Sequence, residues 1–176
     1  MKENLPNFQL NFEQFLYRFG YKAYEELKSL LQRQSIGAKI VIFRKEDMAV
    51  LLVCHRYKGQ EEWYLPGGSV QTGERPDEAI KREISEELVD LEINKPKLVG
   101  IYRGERKKGS LTFLFSSYGW GEVRAKPGSE IEKAEFFGRT NMPENLCPGV
   151  KERIREIFEK FGEDVPNLPE VIWGIW

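Results

Sequence analysis

Between positions 68 and 87 the chain fixes a glycine, five residues, a glutamate, seven residues and then Arg82-Glu83-Ile84-Ser85-Glu86-Glu87. The run from Pro76 to Leu88 reads as a helix. Pro76 suits the first helical position, Asp77 and Glu78 lie at the positive end of the dipole, and Ile80, Ile84, Leu88 and Leu91 recur at helical spacing. On such a helix Glu83, Glu86 and Glu87 stand at i, i+3 and i+4, clustered within about 100° of arc beside the apolar stripe. Like charges so placed oppose a helix by roughly 0.2–0.5 kcal/mol per pair in water, and by more beside a core of low dielectric. A fold that keeps this segment must therefore neutralise it.

Part of the answer is local. Arg82 can reach Glu86 at i+4 and faces Glu78 one turn back. The remaining carboxylates suit a hard divalent cation, Mg²⁺ or Mn²⁺, which takes a few carboxylate oxygens and keeps its other positions for water and substrate phosphates. Upstream, Trp63-Tyr64-Leu65-Pro66-Gly67-Gly68 looks like the end of a strand entering a tight turn, where two glycines permit positive φ and close approach of the backbone to a ligand. A loop over 69–75 then leads into the helix. The pattern is neither a dinucleotide fingerprint nor a Walker loop, since no Gly-Lys-Ser/Thr follows. Taken one pair at a time, Asp77/Lys81 and Glu78/Arg82 are also ordinary i,i+4 pairs of a solvated helix face.

At these residues the chain resembles the Nudix hydrolase family. Gly68, Glu74, Arg82, Glu83, Ile84, Glu86 and Glu87 match that family's signature, whereas Val89 and Asp90 stand where it has a glycine and an aliphatic residue. A glycine there would supply a left-handed helix cap, so Val89 implies that the helix runs on or ends differently. The resemblance implies an α/β fold, a mixed β-sheet sandwiched between α-helices, over residues 35–161, with an N-terminal helical extension (1–34) and a C-terminal tail (162–176) outside it. By motif position it implies Glu83, Glu86 and Glu87 as metal ligands with the Gly67 carbonyl as a further one. Arg82 would orient the carboxylates, Glu74 would secure the loop against the helix, and Gly68 would be structural. A fourth acidic residue from a distant loop, Glu130 first and Glu132 second, is expected as ligand or base.

Periodicity elsewhere is consistent with that layout. Phe12, Phe15, Leu16, Phe19, Ala23, Tyr24, Leu27, Leu30 and Leu31 predict one or two amphipathic helices over 11–34, packed on the same domain or on a twin subunit. Strands are expected over 39–43, 49–54, 98–103, 110–118 and 134–137, and a helix over 149–161. The tail ends in Val171-Ile172-Trp173-Gly174-Ile175-Trp176, a second candidate homodimer surface.

Composition narrows the partners. A formal charge of −1 over 176 residues supplies no field to draw long nucleic acid or an anionic membrane, which favours small ligands, and the resemblance implies that the ligand is a nucleotide. Two separated cysteines without a Cys-x-x-Cys pattern, one histidine, and no leader or membrane-length apolar run suggest a soluble cytoplasmic protein. His55 is expected at the surface or beside a ligand. Trp63, Tyr57, Tyr102, Phe113 and Trp120 are candidates to stack a base, and Lys107 and Lys108 to steer phosphates.

The activity that the resemblance implies is Mg²⁺-dependent hydrolysis of a diphosphate linkage in a nucleoside diphosphate joined to another group. ADP-ribose, nucleotide sugars, dinucleoside polyphosphates and nucleoside triphosphates are the candidate substrates. The alternative is a catalytically silent Nudix-like module that binds a nucleotide without cleaving it.

Overall fold

A computed structural model of the chain describes residues 35–56, 62–103 and 110–161. Expectations for the 11–34 helices, Tyr57, Lys107, Lys108 and the tail lie outside these residues.

The described strands are β1 (Ile36–Arg44), β2 (Val50–His55), β3 (Trp63–Tyr64), β4 (Leu88–Val89), β5 (Glu92–Ile93), β6 (Lys97–Arg103), β7 (Leu111–Trp120), β8 (Arg124–Ala125) and β9 (Ile131–Phe137). The helices are α1 (Pro76–Glu87) and α2 (Pro148–Phe161). Strands β3-β2-β1-β7-β5 run in that spatial order, with β6 also on β7 and β9 also on β2. A separate ribbon pairs β4 with β8. The hairpin partners are antiparallel, β1 with β2 and β6 with β7, while β1 and β7 run parallel in register from Ile36↔Leu111 to Arg44↔Gly119. The sheet is therefore mixed.

Alternation along the strands builds two apolar layers. Ala38, Ile40 and Ile42 of β1 pack with Leu51, Val53, Ala79, Ile80 and Ile84, which seats α1 on one face. Val41 and Phe43 pack with Val50, Leu52, Ile154, Ile157 and Phe158, which seats α2 on the other. At about 25 cal/mol per Å² of apolar surface removed from water, these two layers are the main stabilising contribution.

Helix α1 begins at Pro76 as its sequence predicts, with the Glu78 carboxylate accepting from the Arg75 N–H at 3.0 Å. That contact and the Arg75–Asp77 ion pair at 2.9 Å show the first-turn acids serving the helix start, where the sequence pattern had paired them forward with Arg82 and Lys81. The helix stops at Glu87. It neither runs on nor takes a glycine cap: Leu88 is already extended, the chain enters β4, and the left-handed residue is Asp90 at φ 57°. A Cβ at Gly121 would lie 1.9 Å from the Asp90 carbonyl oxygen, so this turn is packed directly against a glycine.

The negative end of α1 receives its cation from elsewhere in the chain, because its last turn holds no basic residue. The backbone N–H of Lys126 donates to the Glu87 carbonyl at 2.8 Å, and its Nζ donates to the Ser85 carbonyl at 2.9 Å. These bonds satisfy terminal carbonyls and fix the 126–130 loop to the end of α1.

Candidate active site

Segment 65–70 runs beside β1. Ala38 N–H donates to the Gly68 carbonyl at 2.9 Å, Ile40 N–H to the Pro66 carbonyl at 3.1 Å, and Val70 N–H to the Ile36 carbonyl at 2.8 Å. The two glycines solve different problems there. Gly67 has φ 114°, and a Cβ on it would lie 2.3 Å from the Ala38 carbonyl oxygen. Gly68 leaves room for a side chain, since a Cβ there would lie 2.3 Å from Glu83 Oε1.

Arg82 stands at the centre of the acidic face. Its Nε and Nη2 meet Glu74 Oε1 and Oε2 at 2.8 and 3.0 Å. Its Nη1 meets Glu83 Oε1 at 2.8 Å and Glu86 Oε2 at 3.1 Å, and Nη2 also donates to the Ser69 carbonyl at 2.9 Å. Glu74 closes the loop by accepting from the Gln71 N–H at 2.9 Å. The Arg82 guanidinium and that N–H hold the Glu74 carboxyl below its usual range, and the surrounding carboxylates raise Arg82 further. Arg82 thus joins loop 69–74, through Glu74 and the Ser69 carbonyl, to the two helical glutamates Glu83 and Glu86.

The three helical carboxylates differ in setting. Glu86 is exposed, Glu83 is half-buried and Glu87 is only 7 % exposed. The Glu87 carboxylate accepts from the Gly67 N–H at 3.4 Å. Burial pushes its pKa up to about 7, with Glu83 and Glu130 adding to the rise while Lys39 and the Gly67 N–H oppose it.

A cavity of about 480 Å³ brings these groups together: Glu83, Glu86, Glu87, Gly67 and Gly68 meet Glu130 and Ser129 across it, with Lys39 and His55 also on the wall. Glu130 is placed by its backbone, whose carbonyl accepts from the Arg56 N–H at 3.0 Å. Glu132 belongs to β9, is exposed and is absent from this wall. Glu74 stands behind Arg82.

The carboxylate and carbonyl oxygens on this wall, several of them anionic and one carboxylate buried, match a hard cation in kind. Among the described residues, no three His, Cys, Asp or Glu side chains already converge as a finished metal cage. The donors are instead engaged by cations of the chain itself: Arg82 takes Glu83 and Glu86, and the Lys39 ammonium donates to the Gly67 carbonyl.

Lys39, Ser129 and Lys126 escaped the motif reading, whereas His55 was expected at the surface or beside a ligand. Lys39 carried a signal, a single charge inside the apolar run 36–43; His55 is buried and sits where the β2–β9 register shifts, a bulge that re-aims its side chain. His55 therefore belongs to the cavity wall and not to the surface. Of the aromatic candidates, Trp63 is core, packed edge-on against Phe137 at 4.8 Å, and Trp120 is 45 % exposed. Tyr102 lines a second, more apolar cavity of about 520 Å³, with the Arg153 guanidinium 3.8 Å from its ring centre.

Comparisons with known proteins bear on the family and the fold. A Methanocaldococcus jannaschii protein named ADP-ribose pyrophosphatase is 35% identical over 107 residues, covering 56% of this chain and 60% of that relative, so the chain spans less than two thirds of its length. A Bacillus subtilis (strain 168) protein carrying 8-oxo-dGTP diphosphatase as a provisional name is 30% identical over 129 residues, covering 73% of this chain and 83% of its own. The crystal structure of a MutT NUDIX hydrolase from Burkholderia pseudomallei superposes with a TM-score of 0.61 at 22% identity, over 71% of this chain and 98% of that one, which shows a shared fold. The NUDIX domain family model matches residues 33–161, the span that holds both described helices, all the described strands and the residues that line the acidic cavity; the chain belongs to the Nudix hydrolase family.

Proposed function

We propose that the protein hydrolyses a diphosphate linkage in a nucleoside diphosphate joined to a second group, with Mg²⁺ or Mn²⁺ as cofactor. The observation that carries this reading is the meeting of Glu83, Glu86, Glu87 and Glu130 in one cavity beside a separate apolar cavity. A bound divalent cation there supplies charge neutralisation for phosphate oxygens and acidifies a water. Glu83, Glu86, Glu87 and the Gly67 carbonyl are the residues that would hold it. Arg82 orients Glu83 and Glu86, and Glu130 faces them as additional ligand or as the acceptor of the water's proton. Gly68 and Glu74 serve the geometry of this arrangement.

Tyr102, Leu114 and Val150 of the neighbouring cavity offer apolar surface to the organic part of a substrate. ADP-ribose heads the substrate panel because the archaeal relative is named for it, and 8-oxo-dGTP follows from the bacterial one. The test is turnover of that panel, extended to nucleotide sugars and dinucleoside polyphosphates, with Mg²⁺ or Mn²⁺ and product identification. Release of a mononucleotide is expected, with Glu86→Gln slower by orders of magnitude and normally folded. Divalent binding without any turnover would instead assign the chain as a nucleotide-binding module.

A further inference from the structure

Lys39 interrupts the pattern of its own strand. Along β1, Val41 and Phe43 are fully buried under α2, and Lys39 continues that face as a half-buried cation. Burying much of a lysine costs side-chain freedom and hydration, so its charge must be put to use. Its ammonium donates to the Gly67 carbonyl, and it lines both cavities; Ser69 is the other residue the two have in common. A nucleoside diphosphate derivative with its anhydride among the carboxylates and its organic group beside Tyr102 must carry its phosphates past Lys39.

We propose that Lys39 is a phosphate-binding residue held on the Gly67 carbonyl until that oxygen is given up to a divalent cation, after which its ammonium turns to the substrate's phosphate oxygens at the junction of the two cavities. This rests on the diphosphate-hydrolase reading above. An ammonium and a divalent cation brought to one carbonyl oxygen repel one another, so the binding of either opposes the other. The same cavity holds carboxylates that attract the ammonium, Glu87 among them; with those carboxylates taken up by the cation, a substrate phosphate would be the anionic acceptor left to it. The structure therefore makes one lysine compete with the metal before substrate arrives and assist the substrate afterwards.

The experiment compares wild type, Lys39→Met and Lys39→Arg by paramagnetic titration of free Mn²⁺ without nucleotide, and by KM for ADP-ribose or the best substrate found. Removing the internal competitor should tighten Mn²⁺ binding about threefold or more in Lys39→Met, while loss of one charge-assisted contact should raise KM roughly tenfold. Lys39→Arg should recover most of the KM. Mn²⁺ affinity and KM both within about twofold of wild type in a folded Lys39→Met would overturn the proposal. Should that variant fail to fold, ¹⁵N-labelled lysine in the wild-type chain decides. The ammonium resonance missing from the Lys39→Arg spectrum should move with Mg²⁺ and move again with inorganic pyrophosphate; a resonance that answers neither overturns the proposal. Absence of turnover in wild type would sink the hydrolase reading alone, since the Mn²⁺ and pyrophosphate measurements do not depend on it.

Discussion

Arg82 grips Glu74, eight residues earlier, with two parallel hydrogen bonds of 2.8 and 3.0 Å, while the remaining nitrogen of the same guanidinium reaches Glu83 and Glu86 at 2.8 and 3.1 Å. A planar fork can do both at once; an ammonium cannot. Arg82→Lys should therefore keep the charge and lose the arrangement. Mn²⁺ affinity and turnover are expected to fall on the order of 10- to 100-fold, as for removal of a group that orients metal ligands. Circular dichroism melts would show a fold still intact.

Gly67 and Gly68 should separate folding from chemistry. A methyl group on Gly67 meets the Ala38 backbone at a positive φ, and neither can yield. Gly67→Ala is expected to cost about 2–4 kcal/mol in urea unfolding. The nearest atoms to a methyl on Gly68 are the carboxylate end of the Glu83 side chain, which can swing aside. Gly68→Ala should keep near-normal stability and lose roughly tenfold or more in Mn²⁺ affinity, because the displaced group is a candidate ligand.

The helix and its acidic face were legible because their determinants are local. Pro76, the 3.6-residue recurrence of Ile80 and Ile84, and the fixed spacing from Gly68 to Glu87 are all carried within twenty residues. The longer strands were legible too, each within a few residues, since period-two burial leaves a mark in the sequence. The parallel pairing of β1 with β7 was not, because it joins positions some 75 apart and depends on how both apolar faces are covered. Strands β4, β5 and β8 have two residues each, too few to show a period. Val89 and Asp90 announced an irregular helix end without saying which irregularity, and the Lys126 bonds that complete that end come from the loop after β8, far along the chain. For the cavity, the motif named the wall formed by one helix. Lys39 is assigned to it only by the fold, through its place on β1 beside segment 65–70, and the bulge of β2 decides for the wall between the two places expected of His55.

Glu87 gives the metal-free protein a defined pH dependence. Its folded pKa, about 7, lies above the unfolded 4.5, so the folded chain holds a proton that the unfolded chain releases. The associated stability is fully present below pH 4.5 and is lost as pH rises through 7. The loss amounts to about 3 kcal/mol from this group alone. EDTA-treated protein should show falling urea midpoints over that window, and Glu87→Gln should flatten the slope. Mg²⁺ should oppose the fall, since binding to the carboxylate favours the ionised form, and should release protons most strongly near pH 6–7.

Glu130 and Glu132 offer the last discrimination. They are two residues apart, both acidic and both exposed, yet the backbone treats them differently. Lys126 ties the loop to the end of α1, and Arg56 takes the Glu130 carbonyl, so the Glu130 side chain is delivered to the cavity opposite the helical carboxylates. Glu132 is held instead in β9, and the cavity wall does not include it. Glu130→Gln should lower turnover by about 10²-fold or more if it binds the metal or accepts the proton, with little change in stability. Glu132→Gln should stay within about twofold in both. Equal losses in the two variants, measured as kcat/KM on one substrate, would show that this stretch acts through its general charge and not through the placement of one carboxylate.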